Sequence, residues 1–267
     1  DTTAFGGAGR PVINGDYKAF LLDKSNVTVD VDSDLDTTST GTAAAYRRIA
    51  LSNSTITNNK KISGTQSGLV PMAQQDETTD GWVTLTNSSG ASIELAGDKS
   101  VAIYGSNGKI VNAGDIKVGD RGVAIFGDNA GYGDSDISNT GTITIGSEAT
   151  GIYAKNYTTK DVKNNGTITI NGDKSSGMAF APGNLTKTTT VVFENVATIE
   201  DKNSGSNNTG MFAKKATSGA YDTINSGTIT LGDSSNLGNP SVGMYTNTTV
   251  TGTNPLKNIG TIKVGKN

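Results

Sequence analysis

The feature that most restricts this chain is a nine-residue unit, apolar-x-Asn-x-Gly-Thr-Ile-x-Val/Ile, that returns along its second two-thirds. Copies occupy residues 110–118, 137–145, 162–170, 223–231 and 256–264, and a degenerate copy at 193–199 carries Ala197 in place of the glycine. The anchor positions 114, 141, 166, 197, 227 and 260 lie 27, 25, 31, 30 and 33 residues apart. A second motif, glycine followed by apolar and aromatic residues, trails each copy: Gly122-Val123-Ala124-Ile125-Phe126, Gly151-Ile152-Tyr153-Ala154, Gly177-Met178-Ala179-Phe180, Gly210-Met211-Phe212-Ala213 and Gly243-Met244-Tyr245-Thr246. A looser copy at 87–95 has Ser100-Val101-Ala102-Ile103-Tyr104 behind it. Self-similarity at this period means a stack of units, each burying its apolar face on the next.

In Thr142-Ile143-Thr144-Ile145, Thr167-Ile168-Thr169-Ile170 and Thr228-Ile229-Thr230-Leu231, apolar residues and threonine alternate strictly, the period of a strand with one buried face. Such short strands cannot hold a core alone, so the predicted fold is all-β, a parallel β-helix solenoid. Stacking puts Ile116, Ile143, Ile168, Ile199, Ile229 and Ile262 in one column and Ile110, Ile137, Val162, Phe193 and Leu256 in another, at roughly 4.8 Å per coil. At roughly 1.5–3 kcal/mol per buried Ile or Val, these columns supply most of the favourable free energy. The recurring Asn112, Asn139, Asn164, Asn195, Asn225 and Asn258 are expected to bond to the same residue in the next coil and to occupy a left-handed corner. The glycine two places on is expected to supply positive φ or a close approach.

Residues 1–85 show the pattern poorly and are expected to form an atypical N-terminal capping region with irregular first coils, the regular coils occupying 86–267. Residues 42–50 suit a short helix, and Trp82, the single tryptophan, is placed to seal the cap. The chain stops at Gly265-Lys266-Asn267 part-way through a coil, the expectation for a piece of a longer solenoid. Length varies between the second motif and the next Asn unit, which marks those stretches as loops, where binding residues concentrate.

Composition removes several functions. With 22 basic and 25 acidic residues and no basic stripe, the footprint of a nucleic-acid binder is missing. Without cysteine or histidine there are no disulfides, thiolate metal sites, cysteine nucleophiles or His-dependent serine chemistry. A carbohydrate-active β-helix needs carboxylates converging on one face of adjacent coils. The carboxylates here do not recur in register, and of the four arginines (10, 47, 48 and 121) only Arg121 lies in the regular coils. Asp30-Val31-Asp32-Ser33-Asp34-Leu35-Asp36 resembles a calcium loop, but from Asp32 the sixth and twelfth positions are Thr37 and Ala43, so it reads as a solvated acidic edge. Asp128, Asp134 and Asp136 form a looser acidic group with the same reading, and Gly6-Gly7-Ala8-Gly9-Arg10 lacks the Lys-Ser/Thr of a phosphate loop. No metal and no cofactor are expected.

The Asn-x-Gly-Thr-Ile-x-Ile-Gly unit followed by Gly-Ile-Tyr-Ala or Gly-Met-Tyr resembles the passenger repeats of large type V autotransporter adhesins, most closely the fusobacterial ones, over residues 86–267. The resemblance implies a non-enzymatic passenger on the outer surface of a Gram-negative bacterium, attached to the membrane only through a C-terminal barrel outside this chain. It implies attachment to a host protein or glycan or to a partner bacterium. Ser100-Val101-Ala102-Ile103-Tyr104-Gly105 also resembles the head repeats of trimeric adhesins, but those repeat at about half this period, and a monomeric single-chain solenoid is expected. Tyr132, Tyr157 and Tyr221 fall in the variable stretches and are the candidate ligand-binding residues, as exposed aromatics that stack on a sugar or anchor a protein. Rival readings are a β-helical polysaccharide lyase or hydrolase and a passive stalk segment.

Overall fold

A computed structural model describes residues 28–31, 35–36, 54–74, 83–106, 108–128, 136–157, 161–182, 191–214, 221–234, 240–247 and 256–266. Every regular element among them is a β-strand, and the strands form three parallel sheets of nine, nine and seven. One coil runs through Lys109–Asn112 in the first sheet, Asp115–Val118 in the second and Val123–Asp128 in the third. The next repeats the circuit as Ile137–Asn139, Thr142–Ile145 and Thr150–Lys155, each strand pairing in register with the one before. This is the parallel β-helix that the repeats predict.

The two aliphatic columns stand as expected. Ile116 lies over Ile93 and under Ile143, and the series continues through Ile168, Ile199, Ile229 and Ile262. In the first sheet Ile110, Ile137, Val162 and Phe193 are followed by Thr223 and then Leu256. A third column, Ile103, Ile125, Ile152, Met178, Met211 and Met244, closes the core from the third sheet.

Between the first and second sheets the chain turns at the asparagines. Asn58, Asn87, Asn112, Asn139, Asn164, Asn195, Asn225 and Asn258 form one column, in which each Nδ2 donates to the Oδ1 of the next at 2.7–2.8 Å. Except at Asn87, the same Nδ2 donates to the carbonyl two residues on, as Asn164 does to Gly166 at 3.0 Å. The glycine of this corner serves close approach: a Cβ at Gly141 would lie 2.0 Å from the Gly114 carbonyl oxygen. At the asparagine corner only Gly90 among the described residues adopts left-handed backbone, whereas it recurs at the corner between the second and third sheets, at Lys99, Arg121, Glu148 and Lys174. Their N–H groups donate to carbonyls of the following coil at 2.7–2.9 Å, a return for a conformation that costs about 1–2 kcal/mol in an L-residue.

Stacking reaches below residue 86. Ser54–Asn58, Lys61–Gly64 and Met72–Gln74 take the three sheet positions, with Ile56 under Leu85, Ile62 under Ile93 and Met72 under Ile103. The repeat is hard to read there because Lys60 and Lys61 stand where later copies have Gly-Thr. Trp82 and residues 42–50 lie outside the described residues.

Candidate functional site

In the third sheet, the strands Val101–Ser106, Val123–Asp128, Thr150–Lys155 and Thr209–Ala213 bring two consecutive residues inward at their start and then alternate. In Val123–Asp128, Ala124, Ile125 and Gly127 are buried while Phe126 and Asp128 face out. The inward start places a small residue against the isoleucine column: a Cβ at Gly151 would lie 2.9 Å from Ile168 Cγ2. Ile125 then fills the core, and the aromatic after it must point to solvent.

Register turns this into a row. Tyr104, Phe126, Tyr153, Ala179, Phe212 and Tyr245 occupy equivalent outward positions in successive coils. Tyr104 meets Phe126 edge-on with centroids 5.2 Å apart, Phe126 and Tyr153 tilt together at 4.9 Å, and Phe212 stacks on Tyr245 at 5.7 Å. Tyr245 is 49% exposed and the other four rings are partly exposed. Asp128 borders the row, accepting from Lys155 Nζ at 3.0 Å and from Asn156 Nδ2 at 2.6 Å. Burial, then the Asp128 charge, pushes the Tyr104 phenol up from its ordinary value. The outward faces of the other sheets differ: the second carries Thr142, Thr167, Thr198, Thr228 and Thr261 in one line.

A shallow groove of about 550 Å³ lies at the left-handed corner, lined by Ala96, Asp98, Gly119, Asp120, Arg121, Ser147 and Glu148. Its acids join coils. The Arg121 guanidinium grips both oxygens of Asp98, Asp120 Oδ1 accepts the Ser147 N–H at 2.8 Å, and Glu148 pairs with Lys174 at 3.6 Å. Among the described residues no three metal-binding side chains gather. Asp136 pairs with Lys109 at 3.4 Å. Asp134 and the side chains of 30–36 lie outside the described residues.

The candidate tyrosines require correction. Tyr157 is 1% and Tyr221 2% exposed, so neither is a surface aromatic. Tyr157 folds back over Gly127, where a Cβ would stand 2.2 Å from its hydroxyl. Tyr221 opens the first-sheet strand Tyr221–Asn225, meets Phe180 edge-on at 5.4 Å and donates its hydroxyl to the Lys214 carbonyl at 3.1 Å. Both were assigned to loops because they lie outside the repeat motifs, yet each fills core space beside a small or ring-stacked neighbour. Tyr132 lies outside the described residues. The outward row is what the sequence reading missed: in Ile-Phe, Ile-Tyr, Met-Phe and Met-Tyr only one of two adjacent apolar residues can face in, and that parity was the available signal.

Residues 7–188 match the family model of the BigA third pectate lyase-like domain. The chain belongs to that family. No curated protein and no solved structure matches it. BigA is an autotransporter-type adhesin, and the pectate lyase-like fold of this family is one that other families use for enzymes. The matched span contains Tyr104, Phe126, Tyr153 and Ala179.

Proposed function

We propose that this domain is a non-enzymatic part of an autotransporter passenger on the surface of a Gram-negative bacterium, and that the outward aromatic row of its third sheet contacts a glycan on a host cell or partner bacterium. The observation that carries the reading is that row: five rings held in register on one face of the third sheet, where the inward positions beside them satisfy the core. Aromatic rings facing water forgo burial, and their apolar faces with polar rims suit the C–H faces of a sugar. A rigid core presents the rings without ordering them at the moment of binding, and many copies per cell multiply modest single contacts. The engagement of Asp98, Asp120 and Glu148 in coil-to-coil contacts favours adhesion over glycan cleavage, which needs acids poised at a scissile bond.

The test is a glycan array and a host-cell binding assay with the purified domain and its Tyr104→Thr/Phe126→Thr double variant. Threonine keeps β-propensity at both positions. Binding by the native domain that falls at least tenfold in the variant, with cooperative unfolding retained and a melting temperature lowered by only a few degrees, is expected. Equal binding by the two proteins, or none by either, would overturn the proposal.

A further inference from the structure

The aromatic row has one interruption. Ala179 stands between Tyr153 in the coil below and Phe212 in the coil above, and Ala181, the next outward residue of the same strand, stands above Lys155. The Lys214 N–H donates to the Phe180 carbonyl at 2.7 Å, which brings Lys214 alongside Ala181 on the opposite wall. On this face the coil therefore presents two methyl groups, with a ring and a lysine on each side.

The dimensions select a single ring. Two coil steps separate the Tyr153 and Phe212 positions by roughly 9.6 Å. One saturated six-membered ring in contact at about 4 Å with each aromatic fits that space, and two do not. Ala179 is 9% exposed, so its methyl is largely screened and entry of the ligand requires the flanking side chains to rotate. Ser176, partly exposed on the same strand with Thr150 and Thr209 in register beside it, supplies hydroxyls at the other edge of the face.

Charge selects the kind of ring. Lys155 is committed to Asp128 at 3.0 Å, whereas Lys214 is exposed and, among the described residues, has no ion-pair partner. An ammonium beside an aromatic wall favours a carboxylate. We infer that the gap at Ala179, between Tyr153 and Phe212 and beside Lys214, is a subsite for one carboxylate-bearing pyranose, a sugar acid. This rests on the aromatic row being a glycan-binding face, and it names the sugar class and the place.

The experiment compares methyl β-D-glucuronoside with methyl β-D-glucoside, which differ only in the carboxylate at C6, by saturation-transfer NMR with the native domain, Ala179→Phe and Lys214→Gln. Phenylalanine at 179 continues a row that carries aromatics in the neighbouring coils, and Lys214 is exposed, so both variants keep the fold. The expected result is a signal at least fivefold stronger for the glucuronoside, abolished by A179F, reduced to the glucoside level by K214Q and weakened by salt. Equal signals for the two sugars, or undiminished glucuronoside binding by A179F, would overturn the subsite. If that happens while the Tyr104→Thr/Phe126→Thr variant still loses array binding, the aromatic face stands and only the sugar-acid subsite falls. If the native domain binds neither sugar and nothing on the array, both fall.

Discussion

The asparagine corner and the outward row of the third sheet are both columns of like residues repeated coil by coil, yet they obey different rules. At the corner every described coil from Asn58 to Asn258 presents the same side chain, fully buried from Asn58 to Asn225, and each amide between the two ends is bonded to the one above and the one below. The outer row varies among Tyr, Phe and Ala, and its contacts are ring edges and faces that solvent partly replaces. Repetition at the corner is enforced by hydrogen-bond satisfaction, because one missing amide orphans groups in two neighbours. Repetition in the row is not enforced by the core, and a position free of structural demand is available for recognition.

The strongest way to break the comparison is Asn164→Ala. It removes the donor to Asn195 and Gly166 and the acceptor of Asn139, and the two asparagine partners are fully buried. With buried unsatisfied polar groups at about 1–3 kcal/mol each, a loss of about 3 kcal/mol is expected in denaturant unfolding. The outward change Phe126→Thr should cost well under half of that, and equal losses would erase the distinction between the columns.

A second test uses pH. Burial, reinforced by Asp136 and Asp128, pushes the Tyr157 phenol well above its ordinary 10.0, and burial raises Tyr221 as well. The folded state thus holds these protons more tightly than the unfolded chain. The linked stability is complete below about pH 10 and drains away as pH rises toward the folded values. The melting temperature should fall above pH 10, and Tyr157→Phe should remove the larger part of that fall. An alkaline profile unchanged by Tyr157→Phe would contradict the interior placement of this ring.

The smallest effect sharpens the inside of the comparison. Thr223 interrupts the aliphatic column between Phe193 and Leu256, is 1% exposed, and its Oγ1 has no hydrogen-bond partner among the described residues. Thr223→Val keeps the shape and removes the orphan hydroxyl, so a gain of about 1 kcal/mol is expected by the same unfolding measurement.

The core was legible because its signals are local and periodic. Thr-Ile-Thr-Ile fixes which side chains face in, and the spacing of Asn and Gly fixes what stacks on what. The coil at Ser54–Gln74 was obscured by the substitution of Lys60 and Lys61 for Gly-Thr, although Asn58 and Ile62 keep their places. Tyr157 and Tyr221 were misplaced for a different reason: each leaves the strand repeat to fill a space set by a partner in another coil, the first over Gly127 and the second against Phe180. No window of neighbouring residues contains that information. The outward row could be read only by asking which of two adjacent apolar residues the core can admit.

Finally, all seven amide bonds of the asparagine column point the same way, each donor toward the higher-numbered coil. The molecule is thereby a vector. Its amide dipoles add along the axis, so one face of any coil offers an acceptor and the other a donor, and two such stacks brought together head to head would set like against like. Growth by templating, coil upon coil, has a built-in direction that the backbone ladders alone, parallel as they are, reinforce.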